Sequence, residues 1–281
     1  MKKNFLTSPI FLLLPALFTV FLVTIWPTIY TFYLSLFDQN GFIGLKYYMD
    51  MTTDPLFWRS LQNSLIFISI SVTTEFLLGF SIAMFVYKAL TNKMKAIMKS
   101  IFIFPIAATP IALATGWRIM YHPVFGIINY FLGLLHLPAQ AWLGSSLAMP
   151  SIIIIDIWQW TFFISLVLLA GLEKLPKEPF EAAQIDGATE REIIRYLTLP
   201  LLKNLMITVL LIRIIDAFKT FEIIYATTEG GPGFTTLTLN IYAFLTAFRY
   251  YHLNYAAAIS IFLLFILTLL VFVLIKQMKV E

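Results

Sequence analysis

The chain has 281 residues, of which 60% are hydrophobic and 12% charged, and its formal charge is +4. Soluble domains run at roughly 45–50% apolar and about 25% charged residues. A mean hydropathy of +0.86 therefore excludes an ordinary soluble enzyme and points to an integral membrane protein. No basic stripe interleaved with aromatics marks a nucleic-acid surface, and the absence of Cys excludes disulfides, thiolate nucleophiles and Cys-based metal sites.

In chain order, Lys2 and Lys3 precede an apolar first span over residues 9–37. It is too long for a signal-peptide core and lacks a small-residue cleavage site, so it is expected to stay uncleaved, with kinks at Pro15 and Pro27. Residues 38–57 read as a polar loop and 58–87 as a second span. Lys88, Lys93, Lys95 and Lys99 form a basic connector to a third span over 100–120, which contains Pro105 and Pro110. Residues 121–148 are rich in Gly, Pro and aromatics, with a short interfacial helix expected at 127–135. A fourth span covers 149–172. The remaining spans are 199–221 and 255–275, separated by a segment carrying the turn Gly230-Gly231-Pro232-Gly233. Segments this apolar must be helices, because lipid offers no partner to an unpaired backbone group, and about 20 residues suffice to cross. The expectation is an all-α protein of six transmembrane helices in one domain, 1–281.

Between the fourth and fifth spans lies a charged island, Glu181-Ala182-Ala183-Gln184-Ile185-Asp186-Gly187-Ala188, running on to Leu199-Pro200. It reads helix, turn, helix. Pro179 suits a first helical turn. Ala182 and Ala183 favour the helix, and Gly187 accepts the left-handed conformation that ends it. Thr189 with Glu192 forms a capping box for the next helix, and Pro200 is expected to mark a further boundary.

Basic residues orient the chain. Lys2, Lys3, Lys88, Lys93, Lys95, Lys99, Lys174, Lys177, Arg191, Arg195, Lys203, Lys276 and Lys279 fall on one side, and Lys46, Arg59 and Arg249 on the other. The rule places both termini and the 178–198 loop in the cytoplasm.

Ionisable residues inside spans are costly and mark function by default. The fifth span carries Arg213, Asp216, Lys219 and Glu222 at three-residue spacing, so neighbours share a face. The stripe reads either as the wall of a solute path or as an ion-paired seam between helices. Asp156, Gln159 and Trp160 suit hydrogen bonding and stacking on a sugar; equally, Asp156 pairs with a basic residue of a neighbouring helix. Glu75 is expected to turn toward the bundle interior, and Arg118 to snorkel from the end of its span. There is no phosphate-binding Gly-x-x-x-x-Gly-Lys-Ser/Thr loop, and no nucleophile elbow. His122, His136 and His252 lack metal-ligand spacing. The chain is not expected to be an enzyme.

The Glu181-Ala182-Ala183…Asp186-Gly187-Ala188…Leu199-Pro200 pattern resembles the cytoplasmic EAA loop of ATP-binding cassette (ABC) importer permeases. Ile194 and Leu197 stand where that pattern usually has a Phe and an Ile. The resemblance extends along nearly the whole chain to the carbohydrate-uptake branch: Leu14-Pro15, Trp26-Pro27, Gly44-Leu45 with Tyr48, Phe57-Trp58, Asn63-Ser64, Asp156-x-Trp158-Gln159-Trp160, Ala170-Gly171-Leu172 and Leu175-Pro176-Lys177-Glu178. Gly230-Gly231-Pro232-Gly233, Leu237-Thr238-Leu239 and Tyr242 are similar to the maltose-type first permease. The extra N-terminal spans and large external insert of the maltose permease itself have no counterpart, which places the chain with the shorter six-span members.

The resemblance implies a sugar, polyol or glycerol-type importer subunit in a bacterial or archaeal cell membrane. It implies a second homologous permease, two ATPase subunits that bind ATP and Mg, and an extracytoplasmic solute-binding protein. This chain itself would hold no cofactor or metal. The ATPase contact falls on Glu181, Ala182, Ala183, Asp186, Gly187 and Ala188. The substrate pathway falls on Glu75, Asp156, Gln159, Trp160, Arg213, Asp216 and Lys219. The alternative is an ion-coupled secondary transporter using Glu75, Asp156 and Asp216, which predicts broken helices at matched positions of inverted repeats. Uptake driven by a proton gradient alone, without ATP, would select that alternative.

Overall fold

A computed structural model describes residues 9–278, with side chains from 13 to 276; Lys2, Lys3 and Lys279 lie outside the described residues. In chain order the elements are α1 (Pro9–Val20), α2 (Trp26–Leu36), β1 (Phe37–Asp38), β2 (Gly41–Phe42), α3 (Lys46–Thr53), α4 (Pro55–Ala89), α5 (Asn92–Ala107), α6 (Pro110–Met120), α7 (Ile127–Leu134), α8 (Ala148–Glu173), α9 (Glu178–Ile185), α10 (Glu190–Ile193), α11 (Leu199–Lys219), α12 (Glu222–Thr228), α13 (Leu239–Phe248) and α14 (Leu253–Met278). Five helical segments among them are long and apolar enough to cross a bilayer, and the bent pair α5–α6 makes a sixth if it counts as one crossing.

Proline shapes the first span and decides two departures from the expected ones. In the first span a π turn, Phe21–Ile25, sits just before Trp26-Pro27 and joins α1 to α2. A proline ring collides with the carbonyl four residues back and donates no N–H, and a wider turn relieves both problems. The same device recurs at Leu199-Pro200. A π turn over Ile194–Thr198 links α10 to α11, so Pro200 lies inside one helical run, Glu190–Thr228, and not at a boundary. The third expected span, 100–120, is instead two helices, α5 and α6, meeting at 90°. Ala108 and Thr109 are extended, with ψ 133° and 134°; for Thr109 this is the conformation that the following Pro110 favours.

The contacts divide the chain into two compact units. The first comprises Met1–Trp58 and Tyr242–Ile266. The stretch read as a polar loop is ordered: β1 pairs antiparallel with β2, and α3 follows. Short polar side chains close the hairpin, with the Asn40 amide donating to Asp38 Oδ1. The Asn254 side chain donates to the carbonyls of Leu34 and Phe37 at the end of α2, groups a helix cannot satisfy internally. Asp54, preceding α4, accepts from the hydroxyls of Tyr242 at 2.5 Å and Tyr255 at 2.6 Å. Burial alone would raise its carboxyl, but those bonds, with the Leu56 and Phe57 amides, outweigh burial and hold it below the ordinary range.

The second unit comprises Arg59–Ile241 and Leu267–Glu281. Its core gathers Ala83, Val86, Phe102, Ile164, Leu168, Leu169, Leu172, Leu202 and Val209 from α4, α5, α8 and α11. Gly171 lets α8 approach α11 closely, since a Cβ there would collide with Leu205 and crowd Leu202; small residues serve this purpose where helices pack in membranes. The Asn63 side chain donates to the carbonyls of Phe234 and Leu237, each at 3.0 Å, and Ser64 accepts from the Leu239 amide. Those bonds hold the Gly230–Gly233 turn against α4 and start α13, an element not anticipated from the sequence.

Gly171→Ala should destabilise the protein by about 1–3 kcal/mol through overpacking. Gly116→Ala, where a Cβ meets nothing within 4 Å, should be neutral or stabilising by up to about 1 kcal/mol; thermal unfolding in detergent compares the two. Because the folded carboxyl of Asp54 is depressed, its contribution is full above the unfolded carboxylate range and lost as pH falls through the folded value. The stability gap between native protein and Asp54→Asn should therefore be widest near neutrality and close in acid, as read by unfolding at stepped pH.

Candidate functional site

Charged residues of α4, α8 and α11, with Glu222 of α12, assemble into two layers. The inner layer is centred on Arg213 of α11, whose side chain is wholly buried. Its Nε donates to Glu75 Oε2 at 2.6 Å and one terminal nitrogen to Glu75 Oε1 at 2.9 Å. That same nitrogen also donates to Asp156 Oδ2 at 2.8 Å, and the other terminal nitrogen to Asp216 Oδ2 at 3.1 Å. Glu75 on α4 and Asp156 on α8 are themselves fully buried. The planar fork of Arg suits the two-pronged grip on Glu75; a Lys ammonium has no such geometry. The guanidinium carbon lies 4.7 Å from the Trp160 ring centroid, adding a cation–π contact.

The outer layer is a cleft of about 400 Å³ lined by Gln159, Trp160, Asp216, Lys219 and Glu222, together with Ile106, Ala108, Pro110, Thr220 and Ile223. It opens at the α5–α6 break. Gln159 is 2% exposed. Its amide nitrogen lies 3.5 Å from the Ala108 carbonyl, a group freed by the extended backbone there. Its oxygen, Gln159 Oε1, has no hydrogen-bond partner, and neither does Asp156 Oδ1 behind it.

The seven residues proposed for a substrate path thus separate. Asp156 and Arg213 form the ion-paired seam that stood as the other reading of their charges, and Glu75, turned to the interior as expected, joins it. Gln159, Trp160, Asp216 and Lys219 face the cleft. Glu222, at the next step of the stripe, joins them. The backbone contribution of Ala108 and Pro110 was missed; Pro105 and Pro110 flanking a short Ala-Ala-Thr segment were its sequence signal. Arg118, exposed in the last turn of α6, donates to the Ala226 carbonyl at 3.2 Å and ties α6 to α12.

The charged island folds as the sequence indicates. The Gly187 amide bonds to the Gln184 carbonyl and the Ala188 amide to the Ala183 carbonyl, with Gly187 at φ +79°. This is the paired closure that ends a helix on a left-handed residue. Thr189 and Glu192 cap α10 reciprocally. No side chain of α9 is buried, and Ile185 is 86% exposed. Glu181 lines a recess of about 420 Å³ beside Lys88 and Glu190, which pair at 3.2 Å; Ala182, Asp186 and Gly187 face outward, while Ala183 and Ala188 are half-buried.

The profile of a family described as "Binding-protein-dependent transport system inner membrane component" matches residues 4–279. The chain belongs to this family. It is therefore a multi-pass inner-membrane component, and its relatives are ABC transport permeases. The trehalose/maltose transport system permease protein MalF of Thermococcus litoralis is 37% identical over 92% of this chain and 88% of its own length. The sulfoquinovosyl glycerol transport system permease protein SmoG of Agrobacterium fabrum is 30% identical over 90% of this chain and 84% of its own length. A chain from the crystal structure of a bacterial ABC transporter involved in the import of the acidic polysaccharide alginate superposes with a TM-score of 0.86. That match has 21% identity and covers 95% of this chain and 93% of the other, so it shows a shared fold. A second alginate transporter structure, in complex with an alginate pentasaccharide-bound periplasmic protein, gives 0.85 at 22% identity, covering 95% and 92%.

In this inner-membrane component, Arg213→Met leaves Glu75 and Asp156 buried and uncompensated and should cost about 3–5 kcal/mol. Adding Glu75→Gln and Asp156→Asn to that variant should restore most of the loss. Unfolding midpoints of the single and triple variants make the comparison.

Proposed function

We propose that this chain is the permease subunit of an ATP-driven importer for a sugar, polyol or glycerol-type solute. It would form the membrane pathway with a second, related permease. ATP and Mg would be held by two separate ATPase subunits, and an extracytoplasmic binding protein would deliver the solute. The observation that carries this reading is the 37% identity with a trehalose/maltose permease over 92% of the chain. In this reading the 178–198 loop faces the cytoplasm, as do both termini. Helix α9, with Glu181, Ala182, Ala183, Asp186, Gly187 and Ala188, meets the ATPase. Support comes from its form: a short capped helix with no buried side chain has a surface free for a partner, and its ends are fixed by the Gly187 closure and the Thr189 cap. The Lys88–Glu190 and Lys99–Glu173 pairs brace the neighbouring helix ends, so a push on α9 reaches α4, α5 and α8.

The solute path would run along the cleft at Gln159, Trp160, Asp216 and Lys219. Glu75, Asp156 and Arg213 would hold its wall in shape from behind. The ion-coupled alternative has less support. Its relay residues Glu75 and Asp156 are sealed from solvent and both engaged by Arg213, and the α5–α6 break has no matched counterpart among the described residues.

Uptake into proteoliposomes by the assembled transporter should require the ATPase subunits and ATP; uptake on a proton gradient alone would overturn the proposal. Gly187→Pro and Glu181→Lys should leave assembly with the partner permease intact while ATP hydrolysis continues without matching uptake. Coupling unchanged in both variants would remove α9 as the contact.

A further inference from the structure

We infer that the cleft between α6, α8 and α11 accepts an uncharged, hydroxyl-rich solute and turns away solutes carrying a carboxylate or sulfonate. The inference rests on the reading of that cleft as part of the solute path, and it concerns which chemical class the path admits.

Two features combine, one of charge and one of hydrogen-bond polarity. The first is charge. Asp216 and Glu222 line the cleft against a single cation, Lys219. The other cation nearby, Arg213, is wholly buried and already engaged by Glu75 and Asp156. The cleft lining is therefore left with one carboxylate more than it has cations. An anion entering this space meets unbalanced negative charge where low dielectric strengthens the repulsion.

The second feature is hydrogen-bond polarity. The cleft offers acceptors in excess: the Asp216 and Glu222 carboxylates and Gln159 Oε1, which lacks any donor although Gln159 is 2% exposed. Behind it Asp156 Oδ1 is also without a donor. A buried acceptor left unpaired is costly, and what satisfies it is an O–H group. Sugar hydroxyls supply such donors, on neutral and acidic sugars alike, whereas a carboxylate or sulfonate adds only acceptors; this feature selects a hydroxyl-rich solute, and the charge of the cleft selects the uncharged one. Trp160 lines the cleft half-buried, with Arg213 over its ring and Phe163 edge-to-face at 5.7 Å; the part of the indole left exposed is what the C–H face of a pyranose would meet. The alginate importer shares the fold at 21% identity and does not carry its acidic solute over to this chain.

The test uses the transporter assembled with its partner subunits in lipid nanodiscs, without the binding protein, so that selectivity of the membrane path alone is read. Tryptophan fluorescence is titrated with maltose, trehalose and digalacturonate, and Trp160→Phe identifies the signal from the cleft. The neutral disaccharides should perturb Trp160, whereas digalacturonate at equal concentration should not. Glu222→Gln alone should raise digalacturonate affinity, and combined with Asp216→Asn the gain should reach about tenfold or more, equivalent to about 1.4 kcal/mol. Native protein that binds digalacturonate as tightly as maltose overturns the inference and leaves the cleft standing as a path. Variants with no gain for the acid overturn it as well. If no sugar perturbs Trp160 while ATP-driven uptake proceeds, the inference and the assignment of the cleft to the path fail together.

Discussion

The second unit depends on how one guanidinium is satisfied. Arg213 donates four hydrogen bonds to three carboxylates on three helices, α4, α8 and its own α11. In an apolar interior none of these groups is tolerable alone, since each isolated charge would cost several kcal/mol. Together they become a lock: the helices can close only in the register that brings Glu75, Asp156 and Arg213 into contact. The surrounding packing of Ile164, Leu168, Leu202 and Val209 is non-directional and would accept neighbouring registers at small cost. Directional charge pairing supplies the choice among them.

Membrane character, the approximate spans and the α9 hairpin were legible because each has a local cause. Apolar length dictates a spanning helix, and Asp186-Gly187 followed by Thr189 and Glu192 dictates a stop and a start within one turn of chain. Proline was read less well. Pro200 looks like a boundary and Pro110 like a residue inside one span, yet it is Pro110 that accompanies a sharp bend. At Pro27 and Pro200 the preceding turn widens and the helix continues. What separates the outcomes is whether the preceding residues can stay helical under tertiary packing, which a residue string does not state. The helices α3 and α13 were missed for a similar reason: each is held by long-range partners, Tyr48 on Ser35 and Ser64 on the Leu239 amide.

At the candidate site the sequence named residues that the fold brings together and could not sort them. Arg213, Asp216, Lys219 and Glu222 recur every three positions, which says they share a face of α11. It does not say that the face turns from buried seam to open cleft within that stripe. Glu75 and Asp156 were recognisable as costly charges with a basic partner to find, but the partner lies 138 and 57 residues away. The Ala108 carbonyl carries no side-chain signature, so its approach to Gln159 emerges only once the α5–α6 corner is seen.

The widened turn over Ile194–Thr198 has a consequence for phase. A π turn holds one more residue than an α turn, and one residue corresponds to about 100° of rotation at 3.6 residues per turn. The azimuth of Glu190, which faces Lys88, and that of Arg213, which faces Glu75, are therefore offset by this single extra residue. A helical wheel drawn straight through from 190 to 219 would misplace one of them. Deleting one residue within 194–198 would heal the backbone ladder and swing the end bearing α9 around the axis, so that a seemingly regularising change would detune the two ends of the rod from each other.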